Sequence, residues 1–315
     1  MNRTIPVGIG VASGRRPTHR APEQKGIQDI RDLPDTAFDA LWDCVILDPA
    51  VKDRLLAQAV LNFTARARLQ EVALPFHGII LLIGPPGTGK TSVARGLASR
   101  TAASLNSTLT YIEVEPHALA SAALGKSQQG VCHLLGTVIA EQASTGPCIV
   151  LLDEVETLAA DRRKMSLEAN PVDVHRATDA VLAQLDQLAA NNPQLLFVAT
   201  SNFAGAIDEA FLSRADLIVS IDLPSAEACR AILFDTLGRM AKVYPGITRL
   251  LSDPVVAMAA EKAVGLDGRR IRKAVLSAMA HTKQIAASPG TLTADAVLAA
   301  VQIAQTERVN VENKR

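Results

Sequence analysis

Aromatic residues are scarce in this chain. Phe, Trp and Tyr together make up 3% of it, with a single Trp, so stacking platforms for single-stranded nucleic acid are thinly supplied. Excess charge of one sign is also missing. Lys and Arg number 32, Asp and Glu number 32, and the balance gives no global pull toward nucleic acid or an anionic membrane. No unbroken apolar run approaches the ~20 residues of a membrane-spanning helix, so no membrane association is expected. The four cysteines, Cys44, Cys132, Cys148 and Cys229, form no C-x-x-C pair and no metal-ligand spacing with the six histidines. That argues against a zinc motif or a disulfide framework and fits small core thiols in a reducing, cytoplasmic compartment. No repeat of solenoid period is present.

What the chain does have is apolar bulk. Its 315 residues are 48% hydrophobic, enough for about two domains with buried cores. The organising stretch is Gly84-Pro85-Pro86-Gly87-Thr88-Gly89-Lys90-Thr91, entered from the apolar run Ile79–Ile83 and followed by a helical pattern from Ser92 to Ala98. Strand, glycine-rich turn and helix form the context in which G-x-x-x-x-G-K-T cradles nucleotide phosphates. Glycines let successive N–H groups turn inward, and the new helix aims its positive end at the same point. Lys90 supplies a charge for the β- and γ-phosphates, and the Thr91 hydroxyl can ligate Mg²⁺.

Two further aliphatic runs read as strands buried on both faces of a parallel sheet. Cys148–Leu152 ends in Asp153-Glu154, and Leu195–Thr200 ends in Ser201-Asn202. Ligands of open α/β sheets bind at the carboxyl ends of strands. There Asp153 is placed to hold Mg²⁺ and Glu154 to polarise an attacking water. The Asn202 amide can accept from that water and donate to a γ-phosphate; an ordinary Asx-turn is the other reading. Thr110–Val114 is a further β-rich run.

Upstream, residues 1–34 are rich in Gly, Pro and Arg and read as a flexible basic arm, with docking on a neighbouring subunit or an acidic partner as the alternative. Asp48 to Leu74 has the spacing of one amphipathic helix, with Asp48 as its cap and Pro49 first. That helix precedes the phosphate loop and suits covering an adenine. Trp42 belongs to the same cover or to the core beneath it. From Ser225 on, Ala226–Met240, Pro254–Val264, Gly268–Ile285 and Ala294–Gln305 show helical spacing broken at Pro245-Gly246, Gly265 and Pro289-Gly290. The expected division is an arm at 1–34, an α/β domain at 35–224 and a helical lid at 225–315.

GPPGTGKT, CIVLLDEVE, FVATSN, IDEAFLSRAD and GLDGRRIRK follow the order of the Walker A, Walker B, sensor-1, finger and sensor-2 segments of AAA+ ATPases. FDALWDCVILDPAVKDRLL, DEVETLAADRR and HRATDAVLAQLDQL narrow the resemblance to the pachytene-checkpoint remodellers, which unfold part of HORMA-domain proteins. Bacterial members of that group accompany HORMA proteins and a cGAS-like nucleotidyltransferase in anti-phage signalling operons. The resemblance implies an AAA+ parallel-sheet domain with an all-helical lid, ATP and Mg²⁺ as cofactors, and a homo-hexameric ring. It places Arg214 as an arginine finger reaching the neighbouring subunit's γ-phosphate, with a structural ion pair as the alternative. Arg269 matches sensor 2, contacting its own subunit's nucleotide, while Arg270, Arg272 and Lys273 read as solvated or interfacial.

Two features depart from that pattern. The segment Ser121–Ser127 carries Ala123 where threading rings commonly have an aromatic, leaving Leu124 as the apolar contact. The stretch before Asp35 is too short for the separate N-terminal adaptor-binding domain of eukaryotic relatives. The segment Asp161 to His175 stands where a second pore loop would lie. The expected function is ATP-driven opening of HORMA-protein complexes. A DNA-associated loader or switch, and a nucleotide-stabilised assembly scaffold, are the alternatives.

Overall fold

The computed structural model describes residues 19–20, 26–72, 74–115, 133–157, 171–203, 205 and 207–312. One seven-stranded sheet carries the first two thirds of the chain. Its strands are β1 (His19–Arg20), β2 (Ile27–Leu33), β3 (Ile79–Ile83), β4 (Leu109–Val114), β5 (Cys148–Leu152), β6 (Leu195–Ser201) and β7 (Leu217–Ser220). They lie in the order β1-β2-β4-β5-β6-β3-β7. From β4 to β7 every pairing is parallel, and β1 and β2 add antiparallel pairs at one edge.

Continuous aliphatic runs form the central strands because both of their faces are covered. On one side Leu81, Val150, Leu152 and Phe197 pack with Leu134, Val138, Leu182 and Leu185. On the other, Ile80, Leu82, Ile149 and Val198 pack with Phe38, Trp42, Leu55, Val93 and Leu97. Trp42 is therefore a core residue, 8% exposed, its backbone and Cβ pressed on Gly96 of the helix Lys90–Ser104.

The sheet begins earlier than composition suggests. Ile27–Leu33 falls within the expected arm, yet it pairs along β4 from Ile27↔Val114 to Leu33↔Leu109. Pairing covers what would otherwise be the open edge of β4. Ile27 and Leu33 are buried. Arg31 is satisfied locally, bonding Asp29 through Nε at 2.7 Å and lying 4.3 Å from the Phe38 ring centroid. A polar, basic composition thus conceals a strand next to the sheet edge.

A helix at Thr36–Cys44 is followed by a linker, residues 45–48, and then by the helix Pro49–Glu71, with the Asp48 carboxylate accepting from Ala50 N–H at 2.9 Å. Beyond Pro224 the chain is helical: Ala226–Val243, Pro254–Lys262, Gly268–Ala278, Lys283–Ala287 and Ala294–Glu312. Their core draws on residues from Cys229 to Val301, with Ile46 of the linker packed against it. The expected helix Gly268–Ile285 is two, because Thr282 caps a new start by accepting from Ile285 N–H. Pro245–Ser252 forms a 3₁₀ segment. None of the described helices is long and apolar enough to cross a membrane.

Candidate active site

Strand order decides what can meet. β6 lies between β3 and β5, so side chains at its carboxyl end reach both neighbours. The loop leaving β3 carries the glycine motif, and Gly84 N–H donates to Ser201 O at 3.2 Å. Gly84 is pressed so close to Ile221 O that a Cβ would run into it, and Gly87, with φ +85°, would drive a Cβ into the Asp267 carboxylate. Only glycine fits either place. Thr88 Oγ1 donates to Pro85 O at 2.9 Å, and the helix starts at Lys90, which leaves its first N–H groups facing the cleft.

Lys90 is 6% exposed. Its Nζ donates to Gly84 O at 2.8 Å, Pro85 O at 2.9 Å and Asn202 Oδ1 at 2.8 Å. Burial lowers its pKa from the usual lysine value, the charges of Asp153 and Glu156 oppose that shift, and the nearby Arg269 charge adds to it. Two cations facing one polar cleft form an anion site.

Thr91 Oγ1 lies 3.0 and 3.2 Å from the two Asp153 carboxylate oxygens. Glu154 follows with φ +55°, a conformation uncommon outside glycine. Asn202 Nδ2 donates to Glu154 Oε1 at 3.3 Å, and Asn202 N–H donates to Glu156 Oε1 at 3.1 Å. Pro86, Gly87, Gly89, Lys90, Thr91, Asp153, Glu154, Asn202 and Arg269 line one cleft of about 150 Å³.

Arg269 also approaches from the lid, its backbone N–H donating to Gly87 O at 3.2 Å. Beside this cleft lies an apolar one of about 530 Å³, lined by Val45, Ile46, Leu47, Val51, Ile232 and Leu276 among others. An adenine-sized ring system fits that chemistry. The linker and the first turn of the helix from Pro49 build its wall. Arg272, expected to be solvated or interfacial, instead donates to Cys44 O at 2.6 Å and to Asp235 Oδ2 at 3.0 Å, tying lid to linker.

Arg214 stands apart, in a different cleft with Phe76, His77 and Ser213. Its guanidinium pairs bidentately with Asp186 on the helix Pro171–Asn191, both bonds 2.7 Å, and Nη1 donates to Ala210 O at 2.6 Å. The Asp186 hydrogen bond raises the Arg214 pKa. Asp186, Glu156 and Thr200 were not singled out by sequence reasoning. Glu156 had a signal in its place two residues after Glu154, while the other two depend on which elements become neighbours. Ala123, Leu124 and most of the segment from Asp161 lie outside the described residues.

The residues present fit a Mg²⁺–nucleotide. One hydroxyl and one carboxylate within hydrogen-bonding reach suit a hard cation that takes its other ligands from water and phosphate. The loop at Gly84–Gly89 leads into a helix whose first N–H groups are free for phosphate oxygens.

Residues 80–223 match the AAA family, described as ATPase family associated with various cellular activities. The chain is 53% identical to CD-NTase-associated protein 6 of Pseudomonas aeruginosa over 94% of this chain and 97% of that one. It is 31% identical to the pachytene checkpoint protein 2 homolog of Sus scrofa, over 86% of this chain and 68% of the other. Among solved structures, C. elegans PCH-2 superposes with a TM-score of 0.71 at 25% identity, over 91% of this chain and 78% of that one. A chain from the E. coli MS115-1 HORMA:CdnC:Trip13 complex gives 0.70 at 19% identity, over 88% and 95%, a likeness of fold.

Proposed function

This chain belongs to the AAA ATPases, in the branch of CD-NTase-associated protein 6 and the pachytene checkpoint protein 2 homologues, and from that we propose an ATP-hydrolysing remodeller of HORMA-domain proteins that serves a bacterial anti-phage signalling system. The observation that carries the enzymatic part is the meeting of Lys90, Asn202 and Glu154 at the ends of adjacent strands. The partner follows from the relatives: one is named for its association with a CD-NTase, and a chain of the same fold was solved in complex with a HORMA protein.

In this reading the loop N–H groups and Lys90 bind the triphosphate. Glu154 accepts a proton from the attacking water, whose oxygen bonds to the γ-phosphorus as the bond to the β–γ bridging oxygen breaks and ADP leaves. Asn202 orients that water against the γ-phosphate. Thr91 and Asp153 would hold Mg²⁺, which neutralises charge on the phosphate oxygens. Arg214 lines a cleft other than that of its own subunit's Lys90 and Glu154 and serves the next subunit's γ-phosphate across a ring seam, the ring being hexameric. Arg269 joins nucleotide to lid, and the segments around Leu124 and beyond Asp161 transmit movement to the substrate.

The test is to mix purified protein with a HORMA-domain partner in its closed, peptide-bound state and follow peptide release. The account expects release that requires ATP and is lost in Glu154→Gln. Release without ATP, or ATP turnover with no effect on any HORMA partner, contradicts the assignment of substrate.

A further inference from the structure

We propose that Thr200 is a positioning residue that sets both acidic side chains of the β5 turn for catalysis. The inference rests on the ATPase reading above and deepens it. Leu152 and Ala199 are the last register partners of β5 and β6, so Thr200 stands beside the point where β5 turns away into Asp153-Glu154. Its side chain is inside, the residue 1% exposed. The hydroxyl donates to Asp153 Oδ1 and accepts from Glu154 N–H at 3.2 Å.

A hydroxyl has one proton to give, and here it goes to the carboxylate that Thr91 also contacts. That bond fixes one Asp153 oxygen and turns the carboxylate toward the phosphate loop. The second bond acts on the backbone. Glu154 takes a left-handed φ of +55°, which an L-residue keeps only when its surroundings hold it. The N–H of that same residue is anchored on Thr200. Its carboxylate then meets Asn202, two residues after Thr200 and just past the end of β6. One β6 side chain therefore links the orientation of the cation ligand to that of the water-activating carboxylate.

Valine matches the shape of threonine and lacks the hydroxyl, so Glu154 N–H loses its Thr200 acceptor and Asp153 Oδ1 keeps Thr91 but loses Thr200, whereas serine keeps the hydroxyl and loses a methyl. Thr200→Val and Thr200→Ser are to be compared with wild type in two Mg²⁺ titrations at saturating ATP, one reading turnover and one reading nucleotide-induced thermal stabilisation. The proposal expects Thr200→Val to lower kcat about 10-fold or more and to raise the half-saturating Mg²⁺ in both titrations, with KM for ATP within about 2-fold, since removing such outer contacts typically costs 10- to 100-fold. Thr200→Ser should recover most of both. A valine variant with wild-type kcat and Mg²⁺ midpoint overturns the proposal, as does equal loss in both variants with the Mg²⁺ midpoint unmoved. A wild-type protein that turns over no ATP refutes the ATPase reading, and the thermal titration still decides the role of Thr200.

Discussion

Lys90 Nζ lies 2.8 Å from Asn202 Oδ1, so the lysine of the phosphate loop and the amide at the end of the neighbouring strand share one hydrogen bond. The same amide donates to Glu154 through Nδ2. In the proposed mechanism the charge for the phosphates and the carboxylate for water are thus connected through one side chain. The two variants should then separate. Lys90→Ala removes the phosphate charge and is expected to abolish ATP binding in calorimetry. Asn202→Ala leaves the loop intact and should lower kcat about 10- to 100-fold with KM little changed, as expected for a group whose contact tightens in the transition state. Retained ATP affinity in Lys90→Ala would remove the loop from the account.

The Arg214–Asp186 pair gives the second prediction. Two bonds of 2.7 Å tie the guanidinium to Asp186 of the helix Pro171–Asn191. The finger role proposed for Arg214 requires aim, and small misplacements cost much in rate. Asp186→Ala should lower kcat of the assembled enzyme by about 10-fold or more while nucleotide affinity measured by fluorescence titration stays put. Unchanged kcat would make the pair a surface ornament.

The third concerns stability. The Asp216 carboxylate accepts from His77 N–H at 2.9 Å, Gly78 N–H at 2.5 Å and Ile79 N–H at 2.9 Å, so it fixes the entrance of β3. Its side chain is 8% exposed. Asp216→Ala strands those donors and should cost about 3 kcal/mol in urea unfolding. Asp216→Asn keeps one acceptor oxygen and should lose less.

Thiol reactivity supplies the fourth. Burial pushes the Cys148 thiol up to about 12 and raises Cys229 as well, whereas Cys44 is half-buried. The thiolate is the reactive form, so an alkylating reagent near pH 8 should label Cys44 in the native protein and reach Cys148 only on unfolding, read by mass spectrometry. The sign of the pH dependence follows. A thiol whose folded pKa is raised favours the folded state below its ordinary value of 9.0 and loses that contribution as pH climbs toward about 12. Cys148→Ala should therefore flatten the fall of Tm over that alkaline window.

The legible parts of this molecule were those written locally. Ile79–Ile83 and Cys148–Leu152 are unbroken aliphatic runs, and strands covered on both faces need that composition. The strand, glycine-rich turn and helix around residues 84–91 were readable because the motif sits in eight consecutive residues, and Asp48-Pro49 announced a helix start by capping chemistry alone. β2 escaped because its Arg31 is satisfied through Asp29 and Phe38, partners that composition does not reveal. The helix after Gly268 read as continuous because Ile285 preserves the apolar spacing that Thr282 interrupts. Thr200 looked like one more residue of a buried strand. Its role depends on β6 lying between β3 and β5, a fact of sheet order rather than of neighbouring letters. Asp186 and Arg214 are separated by 28 positions, and only the packing of the helix Pro171–Asn191 beside the Glu209–Leu212 turn shows the pair.

The central claim is that each catalytic cleft is finished by the arginine of another copy, which mixing of two damaged subunits tests most directly. Arg214→Ala keeps its own Glu154 but offers no finger; Glu154→Gln offers the finger but lacks the carboxylate. Each alone should turn over ATP at a small fraction of the wild-type rate. Combined before assembly they should regain activity that peaks near equal proportions, because some seams then pair an intact Glu154 with an intact Arg214. A mixture no faster than the average of its parts, or Arg214→Ala working at full rate alone, would contradict the shared site.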